Sequence, residues 1–381
     1  MMRQHIWNLA SVAAGTWLLA FAAAAAPAQE QLRRGASNEL LIDEPLREAV
    51  RRGHEWLQKH QHAEGHWDQL VGYKVNADYE TLDPRPQPHV GVSALALISF
   101  LAGGHLPDRG KYGDVLHRGL DFVLRCSQDD GQITLHGTRM YSHAFATLFL
   151  AEVYGMVERP DVKLKLQHSV DLIVNSQNAE GGWRYRPFAR ESDMSITVCQ
   201  VLALRSARNV GIHVPITTIR NAQNYVYRSA VRGNERSYRY HGHGSFGDDG
   251  GSFRYQNRDP TRATFPLTAA GVTTLYASGE YDNPIIRDAL DYMDRQMPVF
   301  NEEWANHYFF YYGHYYAVQA YYITGDPKWT KYFRTMKAML LKRQRPDGSW
   351  RCETGPGDAF ATAIATLILQ IPLQYLPIFQ R

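Results

Sequence analysis

One run of residues concentrates groups that can stack, donate and accept. His307-Tyr308-Phe309-Phe310-Tyr311-Tyr312-Gly313-His314-Tyr315-Tyr316 follows Trp304 and precedes Tyr321-Tyr322. Helical spacing puts His307, Tyr311, His314 and Tyr315 along one face. If that face lines a cavity, it offers aromatic planes with hydroxyl and imidazole partners, suited to sugars or to an apolar, partly unsaturated ligand. If it does not, the same rings are core.

A second concentration lies between Arg232 and Arg262. It holds His241-Gly242-His243-Gly244, Asp248-Asp249 and Arg236, Arg239, Arg254 and Arg258, interleaved with Tyr238, Tyr240, Phe246, Phe253 and Tyr255. Imidazoles and carboxylates on a glycine-rich loop can bind a divalent metal, and arginines can clamp an anion. The other reading is a solvated insertion carrying a worn repeat. No residue is assigned as a metal ligand, and the cofactor, if any, is unknown.

The elements that must position these groups repeat along the chain. A Q-x-x-x-G-x-W pattern occurs at Gln61, Gly65, Trp67; at Gln177, Gly181, Trp183; and at Gln344, Gly348, Trp350. Gln128-Asp129-Asp130-Gly131 and Gly250-Gly251-Ser252-Phe253 are degenerate relatives. Each copy follows an amphipathic stretch and precedes one that is apolar nearly all round and therefore buried on every side. Outer helices are expected near 46–60, 113–127, 162–176, 215–229, 283–297 and 328–343, with buried partners near 89–104, 141–156, 193–209, 263–278, 307–323 and 358–371. Six such hairpins make an all-α ring, an (α/α)6 toroid. In the repeat, Gln can bond free backbone groups, Gly permits the turn and Trp packs between hairpins.

Hairpin logic also gathers the starts of the inner helices at one mouth. His89, His143, Asp193, His307 and Asp358 should share that rim, with Tyr141 and Tyr311 nearby. Acids and imidazoles converging on an aromatic cleft suit acid/base work. His89, Tyr141, His143, Trp304, His307, Tyr311, His314, Tyr315 and Asp358 are the candidate ligand-binding residues.

Residues 1–28 read as a secretory signal peptide, with Arg3 ahead of an apolar run from Leu9 to Ala26 and an Ala26-Pro27-Ala28 cleavage site. Residues 29–45 are then a linker, 46–381 one ring domain, and the protein is expected to be exported, to the periplasm or beyond the cell. No later apolar run could span a bilayer, although retention of the first as an anchor is the alternative. The net charge of +3 on 381 residues lacks the basic excess that nucleic-acid binding needs. Cys126, Cys199 and Cys352 are scattered, so neither a disulfide framework nor a zinc ribbon is indicated.

With its helical context, the repeated turn resembles that of the squalene–hopene cyclase and protein prenyltransferase superfamily. Gly181-Gly182-Trp183-Arg184-Tyr185, Ser192-Asp193-Met194-Ser195 and the ending Leu376-Pro377-Ile378-Phe379-Gln380-Arg381 look like a group of exported prenyltransferase and squalene-oxidase repeat proteins. The resemblance implies a terpenoid-cyclase-type toroid over Leu46 to Arg381. Class II cyclases of this superfamily protonate an alkene or epoxide with an acidic D-x-D-D motif. Glu191-Ser192-Asp193-Met194 matches at its first and third places and loses the fourth to Met194, which makes Glu191 and Asp193 the implied catalytic pair. The bland alternative is that Ser192 and Asp193 cap a helix. The prenyltransferase zinc set is missing, because Cys352 has no Asp two residues before it and no His follows His314.

The leading expectation is a ring that binds a ligand in an aromatic-lined cavity, with cyclase- or transferase-like acid chemistry at Asp193. A carbohydrate-active lyase or hydrolase and a non-catalytic scaffold are the alternatives. The expected partner is a small apolar or sugar ligand, not nucleic acid.

Overall fold

A computed structural model describes residues 38, 41–72, 79–232, 250–258 and 262–379. The signal peptide and the His241–Asp249 stretch lie outside the described residues. Among the described residues, twelve α-helices alternate between an outer and an inner layer: α1 (Glu44–Lys59), α2 (Val90–Ala102), α3 (Gly113–Arg125), α4 (Met140–Tyr154), α5 (Pro160–Asn175), α6 (Met194–Asn209), α7 (Ile216–Ser229), α8 (Phe265–Ala277), α9 (Pro284–Glu303), α10 (Tyr308–Thr324), α11 (Lys328–Arg343) and α12 (Asp358–Gln370). The even-numbered helices pack each on the next and α12 returns to α2, so the inner layer closes. The fold is an α/α toroid. All of α2 is buried, as a sequence apolar on every side but for Ser93 and Ser99 requires.

Each part of the repeat has a mechanical task. The Gln amide donates to its own turn and to the next outer helix: Gln61 to Gly65 O and Val115 O, Gln177 to Gly181 O and Thr218 O, Gln344 to Gly348 O and Ala49 O. The indole N–H donates to the carbonyl ten residues earlier, Leu57, Ile173 or Leu340, at 2.9, 2.7 and 2.9 Å. The turn glycines, including Gly131 and Gly251 of the worn copies, all have φ between 87 and 96°. A Cβ on Gly65, Gly131, Gly181, Gly251 or Gly348 would fall 2.0 to 2.5 Å from a carbonyl oxygen of the next outer helix, and for Gly348 that helix is α1. Only glycine tolerates both the backbone conformation and the contact.

The second turn has no Trp, and His143 serves there. Its Nδ1 accepts from Ile133 N at 3.1 Å, the place that Ser93, Thr197, Thr268 and Thr362 hydroxyls take in other hairpins. Its Nε2 meets Ser169 O at 3.2 Å.

Helix α9 runs to Glu303, past the expected end near 297. Pro298 sits inside it, but Phe300 and Asn301 beyond are buried, so packing carries the helix through the missing backbone donor. Among the described residues the sheet is one antiparallel pair, Asp68–Gln69 with Gln87–Pro88. Asn38 and Leu41, in the expected linker, are buried; Asn38 accepts from Trp329 Nε1 and Leu41 O from Lys337 Nζ. Cys126, Cys199 and Cys352 are free and buried. Among the described residues no helix is long and apolar enough to cross a membrane.

Glu152 on α4 is 5% exposed and accepts from Ser206 on α6. Burial pushes its carboxyl up to about 7 from the usual 4.5. Between those values the folded chain holds more protons than the unfolded one, so this residue's contribution is complete below pH 4.5 and lost as pH rises through 7. Glu152→Gln keeps an oxygen for Ser206 and removes the charge. It is expected to stabilise the protein at pH 8 by about 3 kcal/mol, or roughly 4 °C in Tm for a ring of this size, and to change nothing at pH 4. Thermal melts at both pH values check this; an equal gain at each would trace it to packing instead of the proton.

Candidate functional site

The N-terminal mouth of the inner helices opens into two adjoining cavities. The first, about 850 Å³ counted out to its mouth, lies among α2, α4, α10 and α12. His89, Val92, Leu95, Tyr141, Phe145 and Phe360 line it, with Tyr308, Tyr312 and Tyr315 of α10 and Tyr79 and Tyr185 from loops. The second, about 1020 Å³, lies toward α8 and α9 and is walled by Phe265, Leu267, Phe300, Trp304 and Phe309, with Ser195, Tyr255, Arg262 and Glu303. Tyr141 and Tyr312 border both. The hydroxyls of Tyr141, Tyr312 and Tyr315 are buried and make no hydrogen bond of good geometry, although Tyr312 lies near Tyr141 and Tyr315 near Gln319. Orphaned donors of this kind are costly in apolar surroundings unless something else satisfies them.

Asp193 lies behind the seam between the cavities and is fully buried. It caps α6: Oδ1 accepts from Ile196 N at 2.9 Å and from Ser195 Oγ at 2.6 Å. Its second oxygen has another role. Oδ2 accepts from Tyr255 Oη at 3.4 Å and lies 3.9 Å from Arg184 Nη1. Tyr255 Oη is in turn 2.6 Å from Tyr185 Oη. The chain Asp193–Tyr255–Tyr185 therefore joins a buried carboxyl to a ring lining the second cavity and a ring lining the first. Burial holds the Asp193 carboxyl above the usual carboxylate range, against the pull of Ser195, Ile196, Arg184 and Tyr255. Burial likewise pushes the Tyr185 phenol up to about 12.

Glu191 stands apart. It is part-exposed and pairs with Arg258 Nη1 at 3.0 Å, with Arg184 Nε 3.7 Å away. Arg184 thus links Glu191 and Asp193 directly. Its guanidinium lies 5.3 Å from the Tyr185 ring centre, while Arg262 lies 4.7 Å from that of Tyr255.

The rim does gather the starts of the inner helices, but their side chains divide. His89, Tyr141, Trp304 and Tyr315 line the cavities. His89 Nδ1 also caps α2 by accepting from Val92 N, and burial pulls its imidazole down to about 4, so it is neutral near pH 7. His307 caps α10 by accepting from Phe309 N and packs edge-on against Trp304. Tyr311 donates to Arg351 O at 2.8 Å. His314 is fully buried between Tyr332 Oη at 2.9 Å and Asn301 Oδ1 at 2.6 Å, on the side of α10 that meets the outer layer. Asp358 accepts from Cys352 N and pairs with Arg345, fixing the last turn. His143 belongs to the repeat turn described above. The face of α10 turned to the lumen is Tyr308, Tyr312 and Tyr315; of the expected stripe through His307, Tyr311, His314 and Tyr315 it includes Tyr315 alone.

No protein-family model matches the chain, and no curated protein sequence matches it. Solved structures do. A protein from Actinoplanes aligns at 15% identity and TM-score 0.52, covering 87% of this chain and 99% of its own. The type II terpene cyclase MstE from Scytonema, in complex with geranylgeranyl dihydroxybenzoate, aligns at 12% identity and TM-score 0.54, covering 87% and 98%. An inactive variant of an α-1,6-mannanase from Salegentibacter, in complex with α-1,6-mannotriose, aligns at 8% identity and TM-score 0.55, covering 85% and 97%. At these identities the likeness is one of fold.

Proposed function

We propose that the ring binds a slender apolar ligand of isoprenoid character in its double cavity. One observation carries this reading. Among the described residues no carboxylate lines the first cavity, and the second has only Glu303, which is itself exposed. Glycoside hydrolysis in most families uses two carboxyl groups roughly 5 to 9.5 Å apart across the scissile bond. The lumen instead offers aromatic and aliphatic walls with a few hydroxyls, the lining of a site that selects by shape and apolar contact. The terpene cyclase and the mannanase with this fold hold, respectively, a geranylgeranyl compound and a mannose oligosaccharide; the chemistry of these walls sides with the first.

A second reading extends the first. The hydrogen-bonded chain from Asp193 through Tyr255 to Tyr185 gives a buried carboxylic acid a route to either cavity, and acid-initiated cyclisation of a polyprenyl chain is the reaction class it suits. Export is proposed with it, on the N-terminal sequence alone.

Titrating the protein with geranylgeraniol while following tryptophan fluorescence tests the binding reading. Saturable binding is expected. Tyr312→Ala removes the ring shared by both cavities and should weaken it roughly tenfold or more, the effect of losing one buried aromatic contact. Mannotriose should give no signal. Binding of mannotriose alone would replace this reading with the carbohydrate one, and binding of neither would leave a scaffold.

A further inference from the structure

The first repeat turn differs from its sister copies in chemistry that the fold does not need. Its sequence is Gln61-His62-Ala63-Glu64-Gly65-His66-Trp67-Asp68, against Gln177-Asn178-Ala179-Glu180-Gly181-Gly182-Trp183-Arg184 and Gln344-Arg345-Pro346-Asp347-Gly348-Ser349-Trp350-Arg351. In the sister copies the residue after Gln serves its own turn. Asn178 accepts from Glu180 N and donates to Ala189 O and Glu191 O, and Arg345 donates to Ser349 Oγ. The residue before Trp is small there, Gly182 or Ser349. In the first copy the same places hold His62 and His66, and the place after Trp holds Asp68.

These three side chains converge. The imidazoles stack with centres 4.6 Å apart and planes 17° from parallel. His62 Nε2 lies 3.2 Å from Asp68 Oδ2, and His66 Nδ1 lies 3.0 Å from Asp68 Oδ1. His66 is 4% exposed, yet neither its Nδ1 nor Asp68 Oδ1 makes a hydrogen bond of acceptable geometry. Two buried polar atoms therefore face each other with nothing between them that satisfies both. On its other side, His66 Nε2 lies 3.6 Å from Glu64 Oε2.

We propose that His62, His66 and Asp68 form a binding site for a divalent transition ion of the zinc class, with His62 Nε2, His66 Nδ1 and an Asp68 oxygen as ligands. Two imidazoles and one carboxylate are a donor set such ions take, and bonds of about 2.0–2.1 Å in a tetrahedron place neighbouring donors roughly 3.3 Å apart. The donor atoms lie within 4.8 Å of one another, each imidazole facing a different Asp68 oxygen at 3.2 and 3.0 Å, so an ion would draw the two histidines together and turn the stacked rings toward one another. Glu64 stands where a carboxylate orients a ligating histidine through its second nitrogen. The side chain of His62 is half-exposed, which gives the ion a path in and leaves its fourth position to water. Asp68 opens the strand pair with Gln87–Pro88, and the chain beyond it reaches Val71 and Gly72 on the wall of the first cavity. A bound ion would tie that wall to the turn between α1 and α2.

The experiment uses the full exported chain carrying a purification tag without histidine, stripped with chelator and titrated with Zn(II) alone by calorimetry. One equivalent is expected to bind, and His62→Ala and Asp68→Asn, both at part-exposed positions, should each weaken binding tenfold or more while leaving the helical circular dichroism unchanged. Co(II) in place of Zn(II) should give the visible absorption of a four-coordinate ion with the parent chain and lose it with His62→Ala. Failure of the parent to take up one equivalent, or unchanged affinity in both variants, would overturn the proposal. Uptake by other histidines falls under that second outcome.

Discussion

Trp350→Ala is expected to lower the unfolding free energy by about 3–5 kcal/mol, the range for deleting a fully buried large aromatic side chain. The indole is fully buried, its Nε1 donates to Leu340 O and its own backbone N donates to Thr362 Oγ1. What sets it apart from Trp67 and Trp183 is its place in the ring. The turn of the sixth hairpin packs on α1: Gln344 donates to Ala49 O, Arg52 donates to Arg345 O and Pro346 O, and a Cβ on Gly53 would come within 3.0 Å of the indole. Truncation therefore opens a cavity at the seam where the last outer helix meets the first. Trp350→Phe helps to separate the causes, because it keeps one aromatic ring in the seam while losing part of the indole's packing and its hydrogen bond, the latter worth about 1 kcal/mol plus the cost of the stranded carbonyl. Denaturant titration of both variants checks the prediction. Equal losses for Phe and Ala would mean that the hydrogen bond, and not the packed ring, holds the seam.

The seam also explains why the fold was legible in the sequence. Gln, Gly and Trp of the repeat each answer a geometric demand that no other residue meets as well: an amide long enough to bridge to the next outer helix, a backbone with positive φ against a carbonyl, an indole that reaches ten residues back. Such demands leave a pattern. The wall of the cavity was less legible, and α10 shows why. An outer helix has a polar face that fixes its rotation, but Tyr308 to Thr324 is aromatic or apolar nearly all round, so spacing groups its residues without saying which group faces the lumen. The expected stripe runs through His307, Tyr311, His314 and Tyr315, and of these Tyr315 lines the cavity, together with Tyr308 and Tyr312 beside the stripe. The buried requirement of His314 for two partners, met by Tyr332 and Asn301 in the outer layer, sets that rotation. Tyr185 was visible only beside a repeat turn, and Tyr255 only among the aromatic residues between Arg232 and Arg262. Their role depends on two loops meeting across the rim, which no single turn encodes.

The acid reading stands or falls on Asp193→Asn. The amide keeps an oxygen for Ile196 N and Ser195 Oγ, so the cap of α6 is retained, whereas Asp193→Ala loses it at a cost of about 1 kcal/mol. Geranylgeraniol affinity should stay within twofold of the parent in the Asn variant. Turnover should not. Proton donation by a positioned acid contributes typically 10²–10⁴-fold, and the amide cannot supply the proton. The reaction sought is an isomerisation: a proton adds to one alkene carbon, the resulting cation closes on a second double bond, and a proton leaves to water, so the mass is unchanged in H2O and one deuterium is gained in D2O. Tyr255→Phe interrupts the route without touching the cap, and should reduce the rate while leaving the melting temperature near the parent's. Because burial raises the Asp193 carboxyl, the protonated donor persists to higher pH than in an ordinary carboxylic acid, and the rate should fall as pH rises through that shifted value. Turnover by Asp193→Asn at the parental rate would return this residue to helix capping alone. If the parent itself binds geranylgeraniol and never incorporates deuterium, the acid chemistry fails while the binding function survives, and the orphaned hydroxyls of Tyr141, Tyr312 and Tyr315 are then left to position the ligand instead of to act on it.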